Sequence, residues 1–132
     1  MPSIPVGAKG TFELIVMPEH LANRFKDVTL PPVLATPMMI MAMENAALNA
    51  LKPYLGVGYS AVGTRVEVSH LAATPVGRQI VAEAQVTKVD GRRVEFKIEA
   101  RDGVEAIGAG THERMVIDTA RFIERLKKLD QK

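Results

Sequence analysis

The stretch "LATPMMIMAMENAALNAL", residues 34–51, is apolar along almost its whole length, yet it carries one carboxylate, Glu44. Thr36-Pro37 reads as a helix start, because threonine is favoured at the N-cap and proline suits the first helical position. The pattern predicts a helix from Pro37 to about Lys52, stopped by Pro53. Along it Asn45, Asn49 and Lys52 form a narrow polar face, while Ile40, Glu44, Ala47 and Leu51 share one stripe. Glu44 therefore faces the same way as core residues. A carboxylate there is costly unless paired or neutralised, and such burial is how proteins tune carboxylates for general-base work. The plain alternative is a flank glutamate that reaches water or is satisfied by a hydroxyl or backbone group.

Working outward, "GTFELIVMP" (10–18) reads as a strand closed by proline, and "EHLANRFKDVTLPP" (19–32) as one short helical turn and an extended loop. After the helix, "YLGVGYSAVG" (54–63) reads as a glycine-bearing loop. "TRVEVSHL", "RQIVAEAQVTKV", "RRVEFKIEAR" and "EAIGAGTHERMVI" read as strands, with turns at "PVG", Asp90-Gly91 and Asp102-Gly103. "RRVEFKIEAR" alternates cleanly, with Val94, Phe96, Ile98 and Ala100 on one face. "TARFIERLKKL" is an amphipathic C-terminal helix capped by Asp118 or Thr119. The expectation is an α+β fold: a strand, a long central helix, then four antiparallel strands in a meander that curve around the helix to bury their apolar face.

In "TRVEVSHL" the period of two sets Thr64, Val66, Val68 and His70 on the core side and Arg65, Glu67 and Ser69 on the other. His70 then points inward. Alone it would be a structural, hydrogen-bonded histidine; beside a core-facing glutamate it becomes a candidate for orienting a base or polarising a carbonyl. Thr36 is a third group, either the helix cap alone or a partner in chemistry. Eight residues separate it from Glu44, roughly 12 Å of helix rise. A substrate or water must bridge them, or the loop folds back, or a second subunit completes the site.

Composition narrows the function classes. The 132 residues suit one domain, and cysteine is absent, so there is no disulfide, thiolate nucleophile or cysteine-ligated zinc. The lack of cysteine leans towards the cytoplasm; the opening "MPSIPVGAKG" has no apolar signal-peptide core, and the apolar run 33–43 is too short to span a bilayer. Net charge is +2, aromatics are 5% and tryptophan is absent, so neither nucleic acid nor a membrane is an expected partner.

The segments "ATPMMIMAMENAAL", "GYSAVGTRVEVSHLAATPVG", "VTKVDGRRVEFKIEARDG" and "GAGTHERMVI" resemble the hotdog-fold thioesterases of the fluoroacetyl-CoA thioesterase type. The spacing of Thr36, Glu44 and His70 matches that family's threonine–glutamate–histidine constellation. The resemblance implies a hotdog fold over residues 1–132, at least a homodimer (with a tetramer also open), active sites near the subunit interface, and metal-free hydrolysis of an acyl-CoA with no cofactor beyond the coenzyme A of the substrate. The fluoroacetyl-selective type is associated with a phenylalanine in the lid before the helix; here that segment is "KDVTLPP", with Leu30.

On this reading a small acyl-CoA is hydrolysed. Glu44 deprotonates a water or attacks the carbonyl to form an anhydride. His70 protonates the leaving thiolate, and Thr36 positions the reacting groups or serves as nucleophile. Backbone N–H groups around Val62, Gly63 and Thr64 are candidates for an oxyanion hole, or simply a turn into the strand. Arg92, Arg93, Lys88 and Arg114 are candidate cations for the CoA phosphates, or solvated surface charges. His20 and His112 read as structural or exposed. Oxygen esters or other acyl thioesters are open as substrates. The rival class is a non-catalytic acyl-CoA-binding hotdog dimer; a hotdog dehydratase and a nucleic-acid module fit less well.

Overall fold

The computed structural model describes residues 2–131. The chain runs β1 (Lys9–Ile15), a 3-10 turn (Pro18–His20), α1 (Ala22–Phe25), α2 (Thr36–Leu55), β2 (Tyr59–His70), β3 (Gln79–Asp90), β4 (Arg93–Arg101), β5 (Ala106–Asp118) and α3 (Thr119–Leu129). The five strands form one antiparallel sheet in the order β1-β3-β4-β5-β2. It curls around α2, as expected, and α3 follows the last strand.

Burial explains the curl. The inward residues of β4, Val94, Phe96, Ile98 and Ala100, are at most 1% exposed, and they share one core with Met39, Met43, Ala46, Ala47 and Leu51 of α2. The methionines at the helix start divide accordingly: Met39 and Met43 are fully buried, Met38 only partly. Alanines on α2 let the sheet approach closely. The tightest crossing is at Gly10 of β1, where a Cβ would overlap the backbone of Ala46 and Ala50. Asn49, on the polar face of α2, donates to the Thr11 carbonyl of the same strand at 2.8 Å.

Three expectations need correction. First, the last four strands are not a simple meander. β3, β4 and β5 are hairpin neighbours, but β2 pairs with β5 and leaves its other edge free among the described residues, while β1 takes the second edge of β3. Second, α2 runs past Pro53 to Leu55 and ends at Gly56, whose φ is 71°. A proline in the last turn removes one backbone hydrogen bond without ending the helix. Third, Tyr59–Gly63 is strand, not loop. A register shift between Gly63 and Arg65 breaks the alternation, as an extra residue in one strand does. The shift turns Thr64 outward, where its hydroxyl donates to the Glu113 carboxylate at 2.6 Å. Val66, Val68 and His70 keep the inward face.

Candidate active site

Helix α2 starts one residue earlier than its sequence implies. Ala35, not Thr36, is the N-cap, and no side chain caps the end. Its approach is fixed by backbone bonds: Leu34 N–H to the Thr74 carbonyl at 2.8 Å and Ala35 N–H to the His20 carbonyl at 2.9 Å. The Ala35 carbonyl accepts from Met38 and Met39. Thr36, relieved of capping, lies 2.7 Å (Oγ1) from His70 Nδ1 at the end of β2. Burial pushes the His70 pKa down from its ordinary 6.5, against a weaker upward pull from the Ala72 backbone. The imidazole is therefore neutral at pH 7. In the tautomer where Thr36 donates, Nδ1 accepts and the proton sits on Nε2, a buried atom with no partner among the described residues. A cavity of about 410 Å³ opens on this pair, walled by Leu30, Pro31, Val33, Leu34, Leu71 and Ala72, with Lys26 also lining it.

Glu44 is elsewhere. It is half-buried on α2, and its carboxylate lies beside Gly63: a Cβ on that glycine would sit 2.9 Å from Glu44 Oε2 and 3.4 Å from His112 Cε1. Seven residues of β2 separate Gly63 from His70, roughly 23 Å of extended strand. Within one chain, then, Thr36 and His70 meet and Glu44 joins neither.

Arg114, a candidate CoA cation or surface charge from the sequence, and His112, read there as structural or exposed, surround Glu44. Arg114, 8% exposed, is a core cation and not a surface one. Its Nη2 donates to the Ala61 carbonyl at 2.7 Å and its Nη1 to the Glu44 carbonyl at 3.4 Å. His112, 2% exposed, lies 2.7 Å through Nδ1 from the Arg65 carbonyl and 3.2 Å through Nε2 from Arg114 Nη1. Nδ1–H therefore donates and Nε2 accepts. Burial foremost, with the Arg114 charge adding to it, holds the His112 pKa below its ordinary value, whereas the Arg65 carbonyl and the Glu44 and Glu113 charges pull upward. Burial likewise lowers the pKa of Arg114, and Glu44 opposes that. The signal for this cluster was the period of two in "HERMV", which sets His112, Arg114 and Val116 on the inward face.

The remaining candidates lie at the sheet end that carries Gly63, which is level with Arg114 and Val94 across β5 and β4. Arg92 is exposed in the β3–β4 turn. Arg93 lies 3.1 Å from Asp90 and 3.7 Å from Glu113. Val62 and Gly63 are on the edge strand β2, and Gly63 lies directly against the Glu44 cluster.

A long helix cradled by a curled antiparallel sheet, with a threonine–histidine pair at the helix start, defines a hotdog-fold thioester hydrolase. The family model for fluoroacetyl-CoA-specific thioesterase matches residues 16–120, and the chain belongs to that family. It is 38% identical over 128 residues to a fluoroacetyl-CoA thioesterase from Streptantibioticus cattleyicolor, covering 93% of this chain and 92% of that one. Among solved structures, it superposes on the fluoroacetyl-CoA thioesterase with a TM-score of 0.89 at 35% identity, over 96% and 97% of the two chains. It superposes on a thioesterase superfamily member from Thermus thermophilus with a TM-score of 0.91 at 32% identity, over 99% and 96%.

Proposed function

We propose that this protein hydrolyses a small acyl-CoA thioester to the free acid and CoA, and that it works as a homodimer whose active site draws on both subunits. The observation that carries the reading is the split site: a hydroxyl–imidazole pair at one end of β2 and a carboxylate at Gly63 near the other. The free edge of β2 supports the dimer, since a strand of 12 residues with unpaired backbone groups invites pairing with another strand. Two copies of β2 related by a two-fold axis run antiparallel. A one-residue slip would oppose inward and outward side chains, so the pairing centres on a residue. Centring on Arg65 or Glu67 sets like charges together. Centring on Val66 sets Arg65 opposite the second copy's Glu67, an opposite-charge pair. In that register the His70 end of one strand lies against the Ala61–Gly63 stretch of the other, and a Thr36–His70 pair meets a Glu44 from the second copy.

In this composite site Glu44 takes a proton from water as it attacks the thioester carbonyl, or attacks directly and yields an anhydride that water opens. Either route consumes one water. The tetrahedral oxyanion is held by backbone N–H groups of the Val62–Thr64 stretch. Collapse expels the CoA thiolate against the Nε2–H of the neutral His70 ring; the thiolate takes the proton that Glu44 removed from water, or one from solvent on the anhydride route, while Thr36 holds the imidazole in place. The CoA phosphates lie near Arg92 and Arg93; Arg114, being buried, instead fixes the backbone around Glu44 and Ala61. Coenzyme A enters as substrate and the chemistry calls for no further cofactor, metal, nucleic acid or membrane. Among the described residues no helix is long and apolar enough to cross a bilayer, and a cytoplasmic setting fits an acyl-CoA substrate.

The test is free-thiol release from a panel of acyl-CoA thioesters. Wild-type protein should turn over at least one of them, and Glu44→Gln should lose on the order of a hundredfold or more in kcat while folding normally. Tight acyl-CoA binding without any thiol release would establish the non-catalytic binder instead.

A further inference from the structure

His112 and Arg114 are arranged around Glu44 in a way that the reaction does not by itself require. A methyl group on Gly63 would sit 2.9 Å from Glu44 Oε2, 3.4 Å from His112 Cε1 and 3.8 Å from Arg114 Nη1, so carboxylate, imidazole and guanidinium converge on one point of β2. A guanidinium this near a carboxylate is suited to close on it as a two-pronged ion pair. Here it turns to neutral acceptors instead. Nη2 donates to the Ala61 carbonyl at 2.7 Å, and Nη1 to the Glu44 main-chain carbonyl at 3.4 Å and to His112 Nε2 at 3.2 Å. Among the described residues no ion pair joins Arg114 to the Glu44 carboxylate. The buried Nε of Arg114 has no partner among the described residues either, so donors are in excess and the acceptors decide where the guanidinium points.

His112 is held as such an acceptor. Its Nδ1–H is committed to the Arg65 carbonyl at 2.7 Å, which leaves the lone pair on Nε2. The buried ring stacks on Phe96 with centroids 5.7 Å apart. Burial, with the Arg114 charge, favours the neutral ring, against the opposite pull of the Arg65 carbonyl, Glu44 and Glu113. The consequence bears on Glu44. A carboxylate clasped by a guanidinium has a lowered pKa and occupied lone pairs, which makes it a poorer base and a poorer nucleophile. We propose that His112 is a positioning residue for thioester hydrolysis: its bare Nε2 helps hold Arg114 on backbone carbonyls and off the Glu44 carboxylate, which stays free to meet water or the thioester. This deepens the thioesterase reading above and rests on the part of Glu44 in it.

The experiment compares His112→Asn with His112→Gln. The asparagine amide reaches the Nδ1 position and keeps the bond to Arg65, but leaves nothing at Nε2. The glutamine oxygen reaches the Nε2 position and accepts from Arg114. For both variants kcat and KM are measured on the best acyl-CoA of the thiol-release panel, together with the urea midpoint. His112→Asn should lose about tenfold or more in kcat, with KM within about threefold of wild type. His112→Gln should keep kcat within about threefold, even where its urea midpoint falls as far. A merely structural histidine would make activity follow the urea midpoint in both. Equal losses in the two variants, or no loss in His112→Asn, overturn the proposal. Nitrogen NMR of the wild-type ring at pH 7 adds a check that needs no variant to fold. The neutral Nδ1–H tautomer is the expected result, and an Nε2–H or doubly protonated ring overturns the proposal. If the wild type releases no thiol, or Glu44→Gln is fully active, the role of Glu44 falls first and this inference with it. An inactive Glu44→Gln beside an unaffected His112→Asn removes this inference alone.

Discussion

His70 is where the chemistry is most exposed to a simple probe. Its Nδ1 is 2.7 Å from the Thr36 hydroxyl, and burial holds its pKa below 6.5. The neutral ring is the form that can accept from Thr36, so activity should survive acidification past the usual histidine range. The acid limb of kcat/KM against pH is expected to have its midpoint below 6.5; a midpoint above that value would mean that the ring is charged in the folded protein. The same shift has a consequence for stability. Because the unfolded chain binds the proton more readily, the folded state loses stability as pH falls through 6.5 towards the lower folded value. The inward direction of His70 was legible from the alternation of Val66 and Val68. Its partner was only half legible, because local capping rules assign Thr36 to the helix end. The backbone bonds from Leu34 and Ala35 that shift the start by one residue come from distant segments.

At the scale of elements, the fit of β1 on α2 turns on Gly10. A methyl group there would overlap backbone atoms of Ala46 and Ala50, and a helix backbone cannot yield as a flexible side chain can. Gly10→Ala should therefore cost about 2 kcal/mol or more, read as a lowered urea midpoint with unchanged slope. A loss under about 0.5 kcal/mol would show that the strand simply shifts outward. The long helix, four of the five strands and α3 were readable because their periods of 3.6 and 2 run uninterrupted, as in Val94–Ala100. Strand β2 was readable only from Thr64 onward. The irregularity between Gly63 and Arg65 breaks the alternation, and three glycines, Gly56, Gly58 and Gly63, make the preceding stretch look like loop. That concealed segment is the one beneath which Glu44, His112 and Arg114 gather. The pairing of β2 with β5 was hidden for a different reason: strand order depends on which edge is left open once the hairpins have formed, and no local pattern encodes that.

At the scale of the whole molecule, sequence spacing places Thr36, Glu44 and His70 in one constellation, but one chain assembles only two of them. The free β2 edge and the alternation of Arg65 and Glu67 supply a way for a second copy to bring the third. This makes the composite site the central claim, and subunit mixing tests it directly. His70→Ala and Glu44→Gln should each be nearly inactive as homodimers. Unfolded together and refolded in equal amounts, they form mixed dimers in which one site combines the intact His70 of one chain with the intact Glu44 of the other. With random pairing about half of the dimers are mixed, so about a quarter of all sites should work. Recovery of thiol release towards that level is the predicted result. A mixture that stays as inactive as its parents, although mixed dimers are shown to form, would contradict the account and place all three residues in a site within one subunit.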